Sequence, residues 1–165
     1  MPKMEMNPIA AETEKLIPVK MSASRPPEHA SGIVSKTITE ADGALYIAAT
    51  GDFGPVHVDD EYARTTRFGE RIAPGIMIAG LATSVLTGQL LGPLGVSIED
   101  TFRFKGPVRY GDTVTVEVRV ARKIEETRVV EWTATGTNQH GEVVLEIQAI
   151  AKFPRRRPPD SPQPS

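Results

Sequence analysis

Cysteine is absent from this chain of 165 residues. Without a thiol, the protein can form no disulfide, no thiolate metal site and no cysteine nucleophile. Its three histidines are scattered, so we predict no metal site. Residues 1–20 lack the apolar core of a secretory signal, and the missing cysteine agrees with a reducing compartment. We therefore expect a cytoplasmic protein.

A strong net charge is missing as well. The 19 basic and 21 acidic side chains leave a formal charge of −2. No electrostatic argument therefore favours nucleic acid or an anionic membrane as a partner. The run from Ile72 to Ile98 has no charged residue, but prolines and glycines divide it. They leave a helix of roughly seventeen residues, which favours a buried core helix over a membrane span.

The length of the chain suits one domain with one hydrophobic core. Residues 1–30 contain proline and show little periodicity, and residues 155–165 are rich in arginine and proline. Both compositions are typical of disordered tails. We therefore place the folded domain at residues 31–154.

Apolar periodicity predicts a strand and several helices in the first half of this domain. Residues 33–38 alternate apolar and polar side chains, as a strand does. Thr39 and Asp42 have the spacing of a helix cap, and acidic residues begin a short helix over 59–64. From Pro74 to Leu91 the apolar residues point in nearly all directions, so this central helix should be enclosed.

Strand patterns fill the second half of the domain. Alternation is clearest over 114–120 and recurs around Phe102, over 128–135 and over 143–151. The predicted order is one strand, then helices, then a four-stranded meander. This order predicts an α+β fold.

The sequence contains one acidic residue and one histidine whose spacing suits a catalytic pair. Asp52 and His57 are five positions apart, with Gly54 and Pro55 between them. Glycine permits unusual backbone angles and proline fixes its own, so we predict a rigid turn rather than a helix. Such a turn can direct both groups at one water molecule. The alternative is a tight loop with a solvated aspartate and a histidine packed at its edge.

The ten residues Thr50 to Asp59 resemble the hydratase motif of the MaoC-like, (R)-specific enoyl-CoA hydratase family. Gly51, Asp52, Pro55, His57 and Asp59 match that motif, whereas Gly54 stands where the family usually has asparagine. The resemblance continues through Ile72-Ala73-Pro74-Gly75 and into the strand-rich second half. It implies a hot-dog fold, in which a curved antiparallel sheet wraps a long central helix.

The resemblance also implies an activity and the residues that support it. The reaction would be (R)-specific hydration of trans-2-enoyl-CoA to 3-hydroxyacyl-CoA, or the reverse dehydration, with Asp52 and His57 activating the water. The backbone N–H of Gly75 would bind the thioester oxygen as negative charge develops on it. Thr83 would lie near the pocket, unless it only packs there. Arg71 and Lys105 are possible contacts for the coenzyme A phosphates, or solvated surface residues.

The implied partners follow from the same family. The substrate would be a thioester of coenzyme A or of acyl carrier protein, and no separate cofactor is expected. Hot-dog sheets commonly join edge to edge, so we expect a homodimer or a dimer of dimers. Two other functions stay open. Gly54 favours a non-catalytic acyl-thioester binding protein, whereas a hot-dog thioesterase is disfavoured because residues 72–98 contain no acid.

Overall fold

The structure is a computed structural model that describes residues 28–92 and 95–152. Most of the predicted amino-terminal tail and all of the predicted carboxy-terminal tail lie outside the described residues. Ala30, at the predicted boundary of the domain, packs against the hydrophobic core. Its carbonyl oxygen accepts a hydrogen bond from the Val120 N–H at 2.8 Å.

The chain begins with strand β1 (Ser31–Thr37) and helix α1 (Glu40–Thr50). The predicted cap is present: the Thr39 hydroxyl accepts the Asp42 N–H at 3.2 Å, and the Asp42 carboxylate accepts the Thr39 N–H at 2.9 Å. Hydrogen bonds from the Thr39 hydroxyl and N–H, with Lys36 beside them, hold the pKa of Asp42 below its usual 3.8. This reciprocal pair fixes where α1 starts.

Two short helices follow, α2 (Pro55–Val58) and α3 (Asp60–Thr65). The prediction of a turn rather than a helix is therefore wrong for the half of the motif that carries His57. Pro55 is at the first helical position, where its missing N–H costs no hydrogen bond, so it begins one helical turn. The Asp59 side chain caps α3 by accepting the Tyr62 N–H at 3.0 Å.

The central helix α4 (Gly75–Val85) continues as a π-helical turn over Leu86–Leu90. Pro74 caps this helix instead of forming its first residue. The prediction of a fully enclosed helix holds on one face only, because the sheet of one chain covers a single side. Ile78, Ala82 and Val85 are buried there, whereas Ile76 on the other side is 50% exposed.

Four strands complete the fold: β2 (Val96–Phe104), β3 (Thr113–Ile124), β4 (Val129–Thr137) and β5 (Val143–Lys152). With β1 they form one antiparallel sheet in the order β1-β3-β4-β5-β2. The predicted four-stranded meander is therefore wrong for β2. Because β3 already pairs with β1 on one side and β4 on the other, β2 pairs with β5 at the far edge.

The concave face of the sheet and α4 enclose the core. Side chains at alternate positions of β3, β4 and β5 are buried against the helix, as the alternation predicted. The largest sets are Val114, Val116, Val118 and Val120 on β3, Val130, Trp132 and Ala134 on β4, and Leu145, Ile147, Ala149 and Ala151 on β5. The α+β class is thus confirmed. None of the helices within the described residues has the length and apolarity to cross a membrane.

The exposed edge of β1 is partly covered by Gln89 from the π-helical turn. The Gln89 side chain accepts the Ile33 N–H at 3.1 Å and donates to the Ile33 carbonyl at 2.9 Å. A Cβ atom on Gly32 would lie 2.6 Å from Gln89 Oε1 and from Val85 Cγ1, so only glycine permits this approach. The amide thus takes the place of a neighbouring strand.

We expect Gln89→Ala to destabilise the fold by about 1–2 kcal/mol, because two hydrogen bonds to the backbone are lost. Thermal unfolding would measure the change. Gln148→Ala is the matched control, since that glutamine lies exposed on β5. An equal change in Tm for the two variants would show that Gln89 does not stabilise the edge.

Candidate active site

A cavity of about 590 Å³ lies between the start of α4, the loop before α2 and the end of β2. Both motif residues, Asp52 and His57, line it, together with Gly75. One wall is apolar, and three cationic side chains lie around the cavity. The apolar wall includes Ile72, Ala73, Pro74, Ile78, Val108 and Leu145, and the cations are Arg67, Lys105 and Arg109.

Asp52 lies in the loop between α1 and α2. Gly51 ends α1 with a left-handed backbone, φ 74°, and its N–H donates to the Ile47 carbonyl at 2.8 Å. The Asp52 N–H then donates to the Thr50 hydroxyl at 3.3 Å. Glycine is favoured at this turn because a positive φ costs it little. The turn leaves the Asp52 side chain exposed and at the cavity.

The orientation of the His57 ring is set by a backbone carbonyl. His57 Nδ1 lies 2.8 Å from the Ile72 oxygen. Since a carbonyl can only accept, Nδ1 carries the proton and, in the neutral ring, Nε2 carries the lone pair. The half-buried imidazole can therefore accept a proton or a hydrogen bond through Nε2.

Gly54 lies between the two groups. A Cβ atom added there would be 3.4 Å from Asp52 Oδ1 and 3.7 Å from His57 Nε2. The Asp52 carboxylate oxygen and the His57 Nε2 are thus no farther apart than the sum of these distances, so both groups border the same small volume. The Gly54 backbone, at φ −53° and ψ 124°, is open to any residue. Its missing side chain therefore matters for space and not for backbone geometry.

Gly75 is the first residue of α4, so its N–H has no partner within the helix. The amino end of the helix also carries partial positive charge. Phe104 packs against this glycine, because an added Cβ would be 2.8 Å from the ring's Cε1. The sequence placed Phe104 on a strand but gave no indication that its ring would lie beside the helix start.

Of the three other predicted site residues, one lines the cavity and two do not. Lys105 lines the cavity, with Nζ 3.8 Å from a Glu146 carboxylate oxygen. Thr83 is exposed on α4 and is not among the residues that line the cavity of this chain. Arg71 is also outside the lining, and its guanidinium binds the carboxylates of Glu40 and Asp60. The roles of these three residues in substrate binding stay predictions.

Two tyrosines belong to the site but were not recognised in the sequence. Tyr46 of α1 lines the cavity. The Tyr110 hydroxyl, from the loop before β3, donates to the His57 carbonyl at 3.4 Å. Burial raises the pKa of Tyr110, which keeps the phenol protonated as a donor. Tyr110 is 53 residues from His57 in sequence, so no local pattern could connect them.

No group of three histidine or acidic side chains that could bind a metal ion occurs in residues 28–92 and 95–152. The groups at the cavity that could take part in a reaction include the Asp52 carboxylate, the His57 imidazole and the Gly75 N–H at the start of α4, beside an apolar wall. Such an arrangement suits proton transfer to and from a water molecule and stabilisation of an oxyanion.

Comparisons with known proteins point to the same chemistry. The family model for the MaoC like domain matches residues 22–141. An (R)-specific enoyl-CoA hydratase of Rhodospirillum rubrum is 40% identical over 129 residues, covering 78% of this chain and 89% of that protein. A 3-hydroxybutyryl-CoA dehydratase of Methylorubrum extorquens is 40% identical over 128 residues, covering 78% and 81%. The solved (R)-hydratase of A. caviae, involved in PHA biosynthesis, has a TM-score of 0.75 at 31% identity, covering 80% and 100%.

We expect Gly54→Ala to place a methyl group against the His57 ring, 3.2 Å from Cδ2 on the present backbone. The ring must then move by a few tenths of an ångström. The free energy of unfolding should change by less than about 1 kcal/mol, because the backbone angles suit alanine. A nuclear Overhauser contact between the new methyl and the His57 Hδ2 proton would check the placement.

Gly80→Ala is the matched control, since nothing lies within 4 Å of the Cβ that it adds to α4. It should leave the His57 resonances unchanged. A Gly54→Ala spectrum identical to that of the control would contradict the placement of Gly54 between the two groups.

Proposed function

Since this chain belongs to the MaoC-like dehydratase family, we propose that it adds water to trans-2-enoyl thioesters to form (R)-3-hydroxyacyl thioesters, or catalyses the reverse dehydration. The similarities confirm the predicted family and its hot-dog fold. The proposal rests above all on the convergence of Asp52 and His57 on one cavity. The names of the two relatives at 40% identity support the same reaction.

One water molecule can be oriented by both groups. The Asp52 carboxylate and the unprotonated Nε2 of His57 are acceptors, so a water between them donates one hydrogen to each. Its oxygen then keeps a lone pair for the β-carbon of the enoyl group. Asp52 takes one proton from the water as the C–O bond forms, and the Asp52–His57 pair returns one proton to the α-carbon, so both groups end in their starting protonation states. The balance is one water added across one double bond.

Charge that develops on the thioester oxygen needs a donor. The Gly75 N–H lies at the amino end of α4, and Gly75 is among the residues that line the same cavity. Aligned donors of this kind are worth roughly 3–4 kcal/mol in the transition state. The addition of water is redox-neutral, so this step needs no electron carrier, and Asp52 and His57 supply the proton transfer.

The composition of the cavity supports an acyl thioester as the ligand. The apolar wall suits an acyl chain, and the cations at its edge suit an anionic carrier. Both coenzyme A and acyl carrier protein carry phosphate, so either thioester fits this charge pattern. A cytoplasmic location remains an expectation from the sequence.

An edge-to-edge homodimer is the assembly that the exposed surfaces favour. Among the strands of residues 28–92 and 95–152, β2 pairs with β5 alone and lies at one edge of the sheet. Its Val96, Ile98 and Phe104 are 62%, 56% and 51% exposed. An edge strand that exposes apolar side chains is suited to pairing with a second copy.

The assay for the activity is loss of enoyl-thioester absorbance with crotonyl-CoA and longer 2-enoyl-CoAs, followed by chiral analysis of the product. We expect Asp52→Asn and His57→Ala each to lower turnover at least about a hundredfold, because each removes a group that handles a proton. Substrate affinity should change less than turnover.

Asp59→Asn is a matched control from the same motif, because it makes the same carboxylate-to-amide change as Asp52→Asn. Asparagine also caps helices well, so the start of α3 should be kept. It should retain activity. If both Asp52→Asn and His57→Ala retain activity, the reacting groups must lie elsewhere in the protein. An inactive wild type that still binds acyl-CoA would favour the non-catalytic binding protein, and release of free thiol would favour the thioesterase.

We expect small-angle scattering at micromolar concentration to give the mass of a dimer, and Ile98→Lys to reduce it by placing a charge on the β2 edge. Ile33→Lys makes the same change on the opposite edge, at β1, where the residue is 58% exposed. That control should remain dimeric. A monomeric wild type would contradict the assembly.

A further inference from the structure

The side chain of Arg71 joins three elements around the short helix that carries His57. Its Nη2 lies 2.7 Å from Glu40, the first residue of α1, and its Nε lies 2.7 Å from Asp60, the first residue of α3. The guanidinium carbon is 5.4 Å from the centre of the Tyr110 ring. The Arg71 side chain is 21% exposed, whereas Glu40 and Asp60 are 67% and 58% exposed, so the arginine is the covered partner of both ion pairs.

The residue after Arg71 contacts α2 directly. The Ile72 N–H donates to the Val56 carbonyl at 3.2 Å, and the Ile72 carbonyl binds His57 Nδ1 at 2.8 Å. Tyr110, under the guanidinium, donates to the His57 carbonyl. Movement of Arg71 would therefore be transmitted to His57 through Ile72 and through Tyr110.

Helix α2 is too short to be stable by itself. It has four residues, and a single turn of helix is unstable in isolation because nucleation is costly. Its placement depends on contacts with the rest of the fold. Ile72 and Tyr110 supply contacts of that kind, and Arg71 lies next to both.

We propose that Arg71 is a positioning residue for His57, acting through Ile72 and Tyr110, and not a contact for the phosphates of coenzyme A. This inference rests on the proposed hydratase function. Two carboxylates already match the charge of Arg71, and the side chain is not among those that line the cavity. A phosphate would have to displace one of these carboxylates or reach past both.

The geometry requires arginine and not just a positive charge. The two carboxylates are bound through different guanidinium nitrogens, Nη2 and Nε, while the planar group lies near the tyrosine ring. A lysine ammonium is a point charge without this planar fork. Lysine at this position should therefore restore little of the function.

The kinetic test compares Arg71→Met and Arg71→Lys on two substrates, an enoyl-CoA and the matching enoyl-pantetheine, which lacks the phosphates. We expect kcat to fall at least about tenfold on both, since small misplacements of reacting groups are costly. KM should change little, and Arg71→Lys should recover only part of the loss. A rise in KM confined to the coenzyme A thioester would overturn the proposal in favour of a phosphate contact.

Arg64→Met is the matched control, because Arg64 pairs with Glu61 on the surface of α3 and is 63% exposed. It should keep the wild-type kcat on both substrates. Glu40→Gln weakens one contact of Arg71 without removing the arginine. We expect an intermediate kcat from this milder variant, which keeps the test valid if Arg71→Met does not fold.

A second readout does not depend on activity. The Nδ1–H proton of His57, bound to the Ile72 carbonyl, should give a slowly exchanging signal in imidazole nitrogen–proton spectra. We expect faster exchange of this proton in Arg71→Met and Glu40→Gln but not in Arg64→Met. Unchanged exchange in both test variants would overturn the positioning role. An inactive wild type with the expected exchange pattern would refute only the proposed function.

Discussion

The hydrogen bond between His57 Nδ1 and the Ile72 carbonyl connects the motif to the rest of the molecule. It selects the tautomer of the imidazole, and it brings α2 against the segment that leads into α4. That segment is itself joined to the loop before β3, because Ile72 forms a β-bridge with Arg109 and the Ala73 N–H donates to the Val108 carbonyl at 2.8 Å. The position of the imidazole relative to the Gly75 N–H is therefore set by contacts that extend to the sheet.

The cavity has an apolar side and a polar side, which would have different roles in a hydratase. An apolar wall lowers the local dielectric, which would strengthen the proposed interaction of the Gly75 N–H with a developing oxyanion. The polar side supplies the acceptors. Asp52 is nevertheless exposed, so water can reach the site before the substrate closes it.

Features determined by neighbours in sequence could be predicted from the sequence. The Thr39–Asp42 cap, the Asp59 cap and the alternation of β3 depend on residues a few positions apart, and the structure has all three. The pairing of β2 could not be predicted in this way, because its partner depends on which edges β1 and β4 leave free. The helical turn at His57 was missed because Pro55 can begin a helix as readily as it can end one.

The candidate site likewise combines features that sequence neighbours determine with features that distant residues determine. Asp52, His57 and Gly75 were found because they lie in two short motifs, and the structure brings all three to one cavity. The contacts of Arg71 and Tyr110 join residues that are far apart in the sequence. Composition and local spacing therefore cannot predict them. The family resemblance likewise implies which residues would react but says nothing of what positions them.

The order of the sheet also has a consequence for how the chain folds. Strands β3, β4 and β5 are joined by short turns and pair with their sequence neighbours, so this unit can form early. Both edge strands must find partners far along the chain: Thr37 of β1 lies opposite Thr113, and Phe104 of β2 lies opposite Leu145. Such non-local pairing slows folding, because loop entropy is lost before contacts compensate for it. The Asp52–His57 motif lies between β1 and β2 in the chain, so both strands that flank it depend on this non-local pairing.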